Sequence, residues 1–261
     1  MNRTALITGA SRGIGKACAI HFAKEGWHVF LNCRKSISEL QATADFITKE
    51  TSGSCEILPG DVGVPSEVGR IFDQIEMSGS GLDVLINNAG LARGLEPEYQ
   101  GSFEDWDQMI DTNIKGLLTM TRLIVPGMVR RNHGHIINIG SVAGDAAYAG
   151  GNVYCATKAA VKAITDGLRI DVAHTKVRVT NVKPGLVETN FSNVRFHGDN
   201  QRAASVYQGI EPLNGDDIAD VAFYAASAPE HVQIAEVLVL ATHQANSYVV
   251  SKDPNRKETL S

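Results

Sequence analysis

The stretch Thr4-Ala5-Leu6-Ile7-Thr8-Gly9-Ala10-Ser11-Arg12-Gly13-Ile14-Gly15 decides the fold. An apolar, partly β-branched run opens it, and a helix-forming sequence follows, so the glycines occupy a strand-to-helix turn. Glycines there let the backbone bend tightly and let a pyrophosphate approach the helix N-terminus. The spacing is Gly-x-x-x-Gly-x-Gly, not the Gly-x-Gly-x-x-Gly of the common dinucleotide fingerprint. Taken alone, the turn also reads as a plain tight bend.

Working outward, apolar runs alternate with longer amphipathic stretches. Strands are expected at 4–8, 28–32, 55–59, 84–87, 135–139, 177–182 and 237–240. Helices are expected at 14–25, 38–51, 66–77, within 106–131, and at 152–173 and 216–227. This rhythm predicts an α/β fold, a single-domain Rossmann-type doubly wound parallel sheet of about seven strands flanked by helices. The catalytic domain is expected over 1–250, with a polar tail at 251–261. Residues 91–103 and 189–214 break the rhythm where the chain leaves the fourth and sixth strands. Ligands bind at those ends in open α/β sheets, so 189–214 is the candidate substrate loop.

With 261 residues the chain suits one large domain. A net charge of −5 offers no electrostatic case for nucleic acid or an anionic membrane. No apolar run approaches the roughly 20 residues that span a bilayer. The first apolar stretch is too short for a signal peptide. The four cysteines, Cys18, Cys33, Cys55 and Cys155, lack any C-x-x-C spacing. Neither a metal site nor a disulfide framework is expected, and the expected location is cytoplasmic.

A unit that binds NAD places an acid at the end of its second strand, to hold the ribose hydroxyls. This chain has Asn32-Cys33-Arg34-Lys35 there, with no carboxylate before Glu39. Arg12 adds a further cation. A 2′-phosphate needs such donors and an Asp would repel it, so NADP(H) is favoured over NAD(H). The alternative, that Arg34 and Lys35 open a solvated helix, leaves the missing acid unexplained.

Tyr154-Cys155-Ala156-Thr157-Lys158 sets a phenol and an ammonium on one helix face. A phenol has an ordinary pKa of about 10, and a neighbouring ammonium favours its phenolate, which makes a usable general base. The order of the glycine turn, Asn87-Asn88-Ala89-Gly90, Ser141 and Tyr154/Lys158 covers nearly the whole chain. It resembles the short-chain dehydrogenase/reductase family. The resemblance implies an oxidoreductase in which Asn113, Ser141, Tyr154 and Lys158 form the catalytic set, Tyr154 moving the proton and Ser141 orienting the substrate oxygen. It further implies that Asn113 holds a water linking Lys158 to solvent. For the cofactor it implies Gly9, Ser11, Arg12, Gly13, Ile14 and Gly15 at the pyrophosphate, with Arg34 and Lys35 at the 2′-phosphate. Asp61 and Val62 fall at the adenine, and Asn87, Ala89 and Gly90 along the cofactor. Tyr154 and Lys158 then meet Pro184, Gly185, Val187 and Thr189 at the nicotinamide end. A homotetramer or homodimer is implied as well.

The later segments are similar to one subgroup, the NADP-dependent dehydrogenases of 3-hydroxy acids such as serine, L-allo-threonine and 3-hydroxypropionate. Its marks here are Pro126-Gly127-Met128-Val129, Gly150-Gly151-Asn152-Val153 and Pro184-Gly185-Leu186-Val187-Glu188-Thr189-Asn190-Phe191-Ser192, continuing through Val194-Arg195-Phe196-His197-Gly198-Asp199. Lys183 and Ala149 depart from it. A hydroxy acid needs a cation for its carboxylate, preferably Arg. Arg195 is the candidate, with His197 and Arg93 behind it; pairing of Arg195 with Glu188 or Asp199 is the competing reading. Three alternatives stay open: a 3-oxoacyl-thioester (acyl-carrier-protein) reductase, a broad ketone or aldehyde reductase, and an NADP(H)-binding sensor or scaffold without turnover. A carrier-protein substrate calls for a basic patch, and Arg130-Arg131 is the only adjacent Arg pair.

Overall fold

The computed structural model describes residues 3–79 and 81–253; residues 254–261 of the expected tail lie outside the described residues. The strands are β1 (Thr4–Ile7), β2 (His28–Leu31), β3 (Ser54–Ile57), β4 (Val84–Asn87), β5 (His135–Ile139), β6 (Arg178–Pro184) and β7 (Glu236–Val239). The larger helices are α1 (Gly13–Lys24), α2 (Ile37–Glu50), α3 (Pro65–Met77), α4 (Phe103–Ile110), α5 (Leu117–Arg131) and α6 (Asn152–Asp171). Two short ones, α7 (Phe191–Arg195) and α8 (Asn200–Ser205), precede α9 (Gly215–Ser227). All strands pair in parallel in the order β3-β2-β1-β4-β5-β6-β7, as the alternation predicts.

Both sheet faces are covered, so β1, β2 and β4 carry apolar runs, while β5 and β6 interleave apolar residues with buried polar ones, His135, Asn138, Thr180 and Asn181. Ala5 and Ile7 pack with Val29, Leu31, Val84 and Ile86 on one face, against residues of α1, α2 and α9. Leu6, Phe30, Leu85 and Ile136 point the other way, toward α3 and α5. Alanines let α1 and α9 pack tightly: Ala19 and Ala23 share a cluster with Ala219, Ala222 and Ala226. Among the described residues no helix is long and apolar enough to cross a membrane.

Three departures from the expected elements bear on the site, besides small shifts in the ends of β3 and β6. β2 stops before Asn32, whose side chain instead donates to the Leu58 and Gly60 carbonyls. The helix expected within 106–131 begins at Phe103 and is interrupted by a wider π turn over Asp111–Gly116. The 189–214 segment holds α7 and α8, of 5 and 6 residues, too short for a periodic apolar face. Asp199 caps α8 by accepting from the Gln201 and Arg202 amides.

His135 on β5 is buried, with Nε2 2.7 Å from Thr180 Oγ1. Thr180 donates its own proton to the Ile234 carbonyl, so it accepts from His135 and Nδ1 carries no proton. Burial, helped by the Arg178 charge, lowers the His135 pKa from 6.5 to about 3. The unfolded chain therefore takes up a proton below 6.5 that the folded chain refuses, and this site withdraws stability as pH falls from 6.5 toward 3. At pH 5 the loss is about 2 kcal/mol. Denaturant unfolding of His135→Gln at pH 7 and pH 5 is expected to lack most of that difference; an unchanged pH slope would assign the acid sensitivity elsewhere.

Candidate active site

The order of strands reverses between β1 and β4, and a cavity of about 670 Å³ opens at the C-terminal ends of β1, β4, β5 and β6. Gly9, Ser11, Arg12, Gly13 and Ile14 line one end. Gly9 and Gly13 have φ of 68° and 54°, a region costly for other residues. Gly15 does not line the cavity. A Cβ there would stand 2.3 Å from the Gly9 carbonyl oxygen, so Gly15 permits the turn to fold under itself.

Arg12, Arg34, Lys35 and Ser36 line the corner beyond β2. Arg12 Nη2 donates to Ser36 Oγ, and its Nε lies 3.1 Å from Glu39. Arg34 lies 3.6 Å from Asp61, whose other oxygen accepts from the Gly63 amide at 2.8 Å. These cations line the cavity, with Arg34 and Lys35 exposed just ahead of α2, and the carboxylates nearest them, Glu39 and Asp61, are each paired with an Arg. Asp61, Val62, Ala89 and Gly90 also line the cavity. Asn87 does not. As the last residue of β4 it turns inward and donates to Asn138 Oδ1 at 2.9 Å, while Asn88 takes the lip and donates to the Thr8 carbonyl at 2.8 Å.

Ser141, Tyr154 and Lys158 come together in the cavity wall. Ser141 Oγ accepts from the Ala143 amide, capping a 3₁₀ turn over Val142–Gly144, and stands 3.5 Å from the Pro184 carbonyl. Lys158 is buried in α6 and donates to the Ile139 carbonyl at 2.8 Å. Burial lowers its pKa from 10.5 to about 8, so it remains charged at neutral pH. Burial raises the Tyr154 pKa, and Tyr148 adds to that; the Arg195 guanidinium and the Ser141 hydroxyl pull it back. Lys158 lies 5.9 Å from the Tyr154 ring centroid and Arg195 5.0 Å, so two cations flank the phenol.

Asn113 sits in the π turn, outside the cavity lining. Its Nδ2 donates to Leu91 O at 2.8 Å and Thr157 Oγ1 at 3.0 Å, and its Oδ1 accepts from Leu91 N at 2.9 Å. Both amide hydrogens are taken by the protein. The side chain therefore also ties the loop after β4 to α6.

Of the three substrate candidates only Arg195 reaches the cavity. Its Nη2 donates to the Tyr148 hydroxyl at 2.7 Å, its Cζ lies 5.4 Å from the Phe191 ring centroid, and its buried Nε has no partner among the described residues. It forms no ion pair among the described residues, and Asp199 is occupied in capping α8. Arg93 instead donates to the Val194 carbonyl, strapping the loop after β4 to α7. His197, with φ of 54°, points to Asp105 at 3.0 Å on α4. Arg131 donates to the Leu82 carbonyl, so the Arg130-Arg131 pair lies at the opposite end of β4 from the cavity.

Tyr148, Phe191 and Gln244 line the cavity without having been singled out by sequence as site residues. Gln244 Oε1 accepts from the Leu186 amide at 2.8 Å and so shapes the Pro184–Val187 wall from the C-terminal side. Pro184, Gly185, Val187 and Thr189 complete that wall. The only sequence sign of Tyr148 is its place beside a glycine pair: the ring lies flat on Gly151, where a Cβ would stand 2.0 Å away.

The family model for short chain dehydrogenases matches residues 3–200. The chain is 43% identical over 241 residues to the NADP-dependent 3-hydroxy acid dehydrogenase YdfG of Shigella flexneri, covering 92% of this chain and 95% of that one. It is 40% identical over 245 residues to the NADP-dependent 3-hydroxy acid dehydrogenase of Schizosaccharomyces pombe, covering 94% and 95%. Among solved structures it resembles the closed form of serine dehydrogenase complexed with NADP+, with a TM-score of 0.85 and 43% identity over 90% of this chain and 94% of that one.

Asn113→Ala would strand the buried Leu91 amide and remove a partner of Thr157. A stability loss of about 2 kcal/mol is expected in denaturant unfolding. A loss too small to measure would remove the tie assigned to this side chain.

Proposed function

The chain belongs to the short-chain dehydrogenase family, and from that premise we propose that it is an NADP(H)-dependent oxidoreductase of small 3-hydroxy acids of the serine, L-allo-threonine and 3-hydroxypropionate type. One observation carries the substrate class: Arg195 is a cavity-lining guanidinium that meets a phenol and two aromatic faces beyond it, but no carboxylate among the described residues. Burying such a charge is costly unless an anion completes it. A substrate carboxylate does so, with the fork geometry that suits Arg.

The residues present fit the cofactor. Backbone amides of the Gly9–Gly15 turn and the N-terminus of α1 suit a pyrophosphate. Arg12, Arg34, Lys35 and Ser36 suit a 2′-phosphate, and Asp61 with Val62 the adenine. Lys158 suits the ribose hydroxyls, while Ala89, Gly90, Pro184, Gly185, Val187 and Thr189 suit the nicotinamide end. Bound there, NADP(H) supplies the hydride acceptor or donor.

The protein's own part is to move a proton and hold the substrate. In reduction Tyr154 Oη donates its proton to the substrate carbonyl oxygen, and burial keeps that proton in place until it is needed. In oxidation the same oxygen takes the hydroxyl proton, and Arg195 and Ser141 are the neighbours that ease its ionisation. Ser141 Oγ hydrogen-bonds the reacting oxygen and shares its developing charge. The Lys158 charge balances the site from behind. Arg195 orients the acid so that the carbinol carbon faces the cofactor.

Tyr154→Phe is expected to lower kcat by roughly a hundredfold to ten-thousandfold while NADPH binding, followed by fluorescence, persists. Turnover at near wild-type rate would remove Tyr154 from the reaction. In a panel of 3-hydroxy acids and neutral alcohols assayed with NADP+, Arg195→Met is expected to raise KM for the acids by about ten- to a hundredfold, the loss of one charge-assisted pair. Equal effects on acids and neutral alcohols would sink the carboxylate role.

A further inference from the structure

Lys183, the residue that departs from the subgroup before Pro184, lies outside the cavity lining yet is buried in a cluster of charges. Its Nζ donates to Asp145 Oδ2 at 2.7 Å and Oδ1 at 3.0 Å, and lies 2.6 Å from Glu236 Oε1. The lysine side chain is 6% exposed, and each carboxylate 35%. Burial disfavours the ammonium, but hydrogen bonds to Asp145 and Glu236 outweigh it and raise its pKa above the ordinary lysine value. The Lys183 stem runs close beside Gly140: a Cβ on that glycine would lie 3.3 Å from Lys183 Cγ.

The three residues stand at structurally separate places. Lys183 immediately precedes Pro184-Gly185 on β6. Asp145 ends the 3₁₀ turn that Ser141 begins, since its amide donates to the Val142 carbonyl. Glu236 starts the edge strand β7. Pairing of β5 with β6 stops at Ile139 and Val182, and a last main-chain bond joins Gly140 N to Val182 O. Beyond that point β6 continues while the Ser141 turn leaves the sheet. The direct contact left between them is the 3.5 Å approach of Ser141 Oγ to Pro184 O. The ion pair of Asp145 with Lys183 spans this gap.

We propose that Lys183 is a positioning residue: through Asp145 it holds the Ser141 turn against the Pro184-Gly185 wall, with Glu236 fixing the ammonium from the edge strand. The proposal rests on the reading that Ser141 takes part in turnover. If the turn drifts, the serine hydroxyl no longer meets the substrate oxygen beside Tyr154, and small displacements in a reacting geometry cost rate.

Asp145→Asn keeps the size of the side chain and removes the ion pair, so it is the main test. It is paired with Ser141→Ala, the double variant, and Lys183→Met compared with Lys183→Arg. Asp145→Asn is expected to lower kcat by about tenfold to a hundredfold. The NADPH Kd and the substrate KM should move by no more than about twofold. In the Ser141→Ala background the same change should have no further effect on kcat, because the group it positions is gone. Lys183→Arg should recover most of the kcat that Lys183→Met loses. A drop in melting temperature with kcat intact overturns the proposal, and so does a kcat loss that persists undiminished in the Ser141→Ala background. If Ser141→Ala alone turns over at the wild-type rate, the role of Ser141 fails first and the proposal with it.

Discussion

The molecule is organised around one junction, where the end of β1 meets the end of β4. Thr8 Oγ1 accepts from the amides of both Asn88 and Ala89, and Asn88 Nδ2 donates back to the Thr8 carbonyl. The register of β1 with β4 ends at Ile7 and Ile86, and a last main-chain bond runs from Thr8 N to Ile86 O. The side-chain bonds therefore take over from the sheet as the two chains leave for opposite helices. They fix the floor of the cleft and hold Asn88 under Gly15, which has no room for a Cβ. The glycine turn and the Ala89-Gly90 wall keep their separation because this junction is closed.

Three cations, Lys158 and Lys183 buried and Arg195 half-buried, stand in or near the cavity wall, and each is stabilised differently. Lys158 has a main-chain carbonyl and gives up part of its proton affinity to burial. Lys183 lies between two carboxylates and keeps its proton more firmly than a free lysine. Arg195 has a phenol hydroxyl and aromatic faces, which accept a guanidinium without neutralising it. Electrostatic capacity for an anion accordingly resides at Lys158 and Arg195, both near Tyr154, while Lys183 is satisfied within the protein. Position on the backbone alone would not separate these three roles.

The fold was legible because its information is local. The inner parallel strands read as short apolar runs in β1, β2 and β4, and the glycine turn and the Tyr154/Lys158 spacing are fixed within a few residues. Interactions that reach across the chain were not legible. Arg93 and His197 have the chemistry of substrate ligands, but their partners, Val194 and Asp105, lie 101 and 92 residues away in sequence. Asn87 and Asn88 are adjacent and identical, and only the strand's period of two decides which one faces the cleft. The π turn at Asn113 shows only as a run of weak helix formers, Asp111, Thr112, Asn113 and Gly116, which does not by itself reveal a wider turn. Lys183 stood out as a departure, but its meaning required Asp145 and Glu236 to be seen beside it.

The contact of Tyr148 with Gly151 has a consequence for how such a chain can change over time. The ring rests where a side chain at 151 would have to go, and the same ring's hydroxyl holds Arg195. Any replacement at 151 must push Tyr148 aside and so re-aim the guanidinium, which also stands 5.0 Å from the Tyr154 ring. Substrate fit and proton transfer are thus coupled through a position that belongs to neither. A single codon at 151 retunes both together.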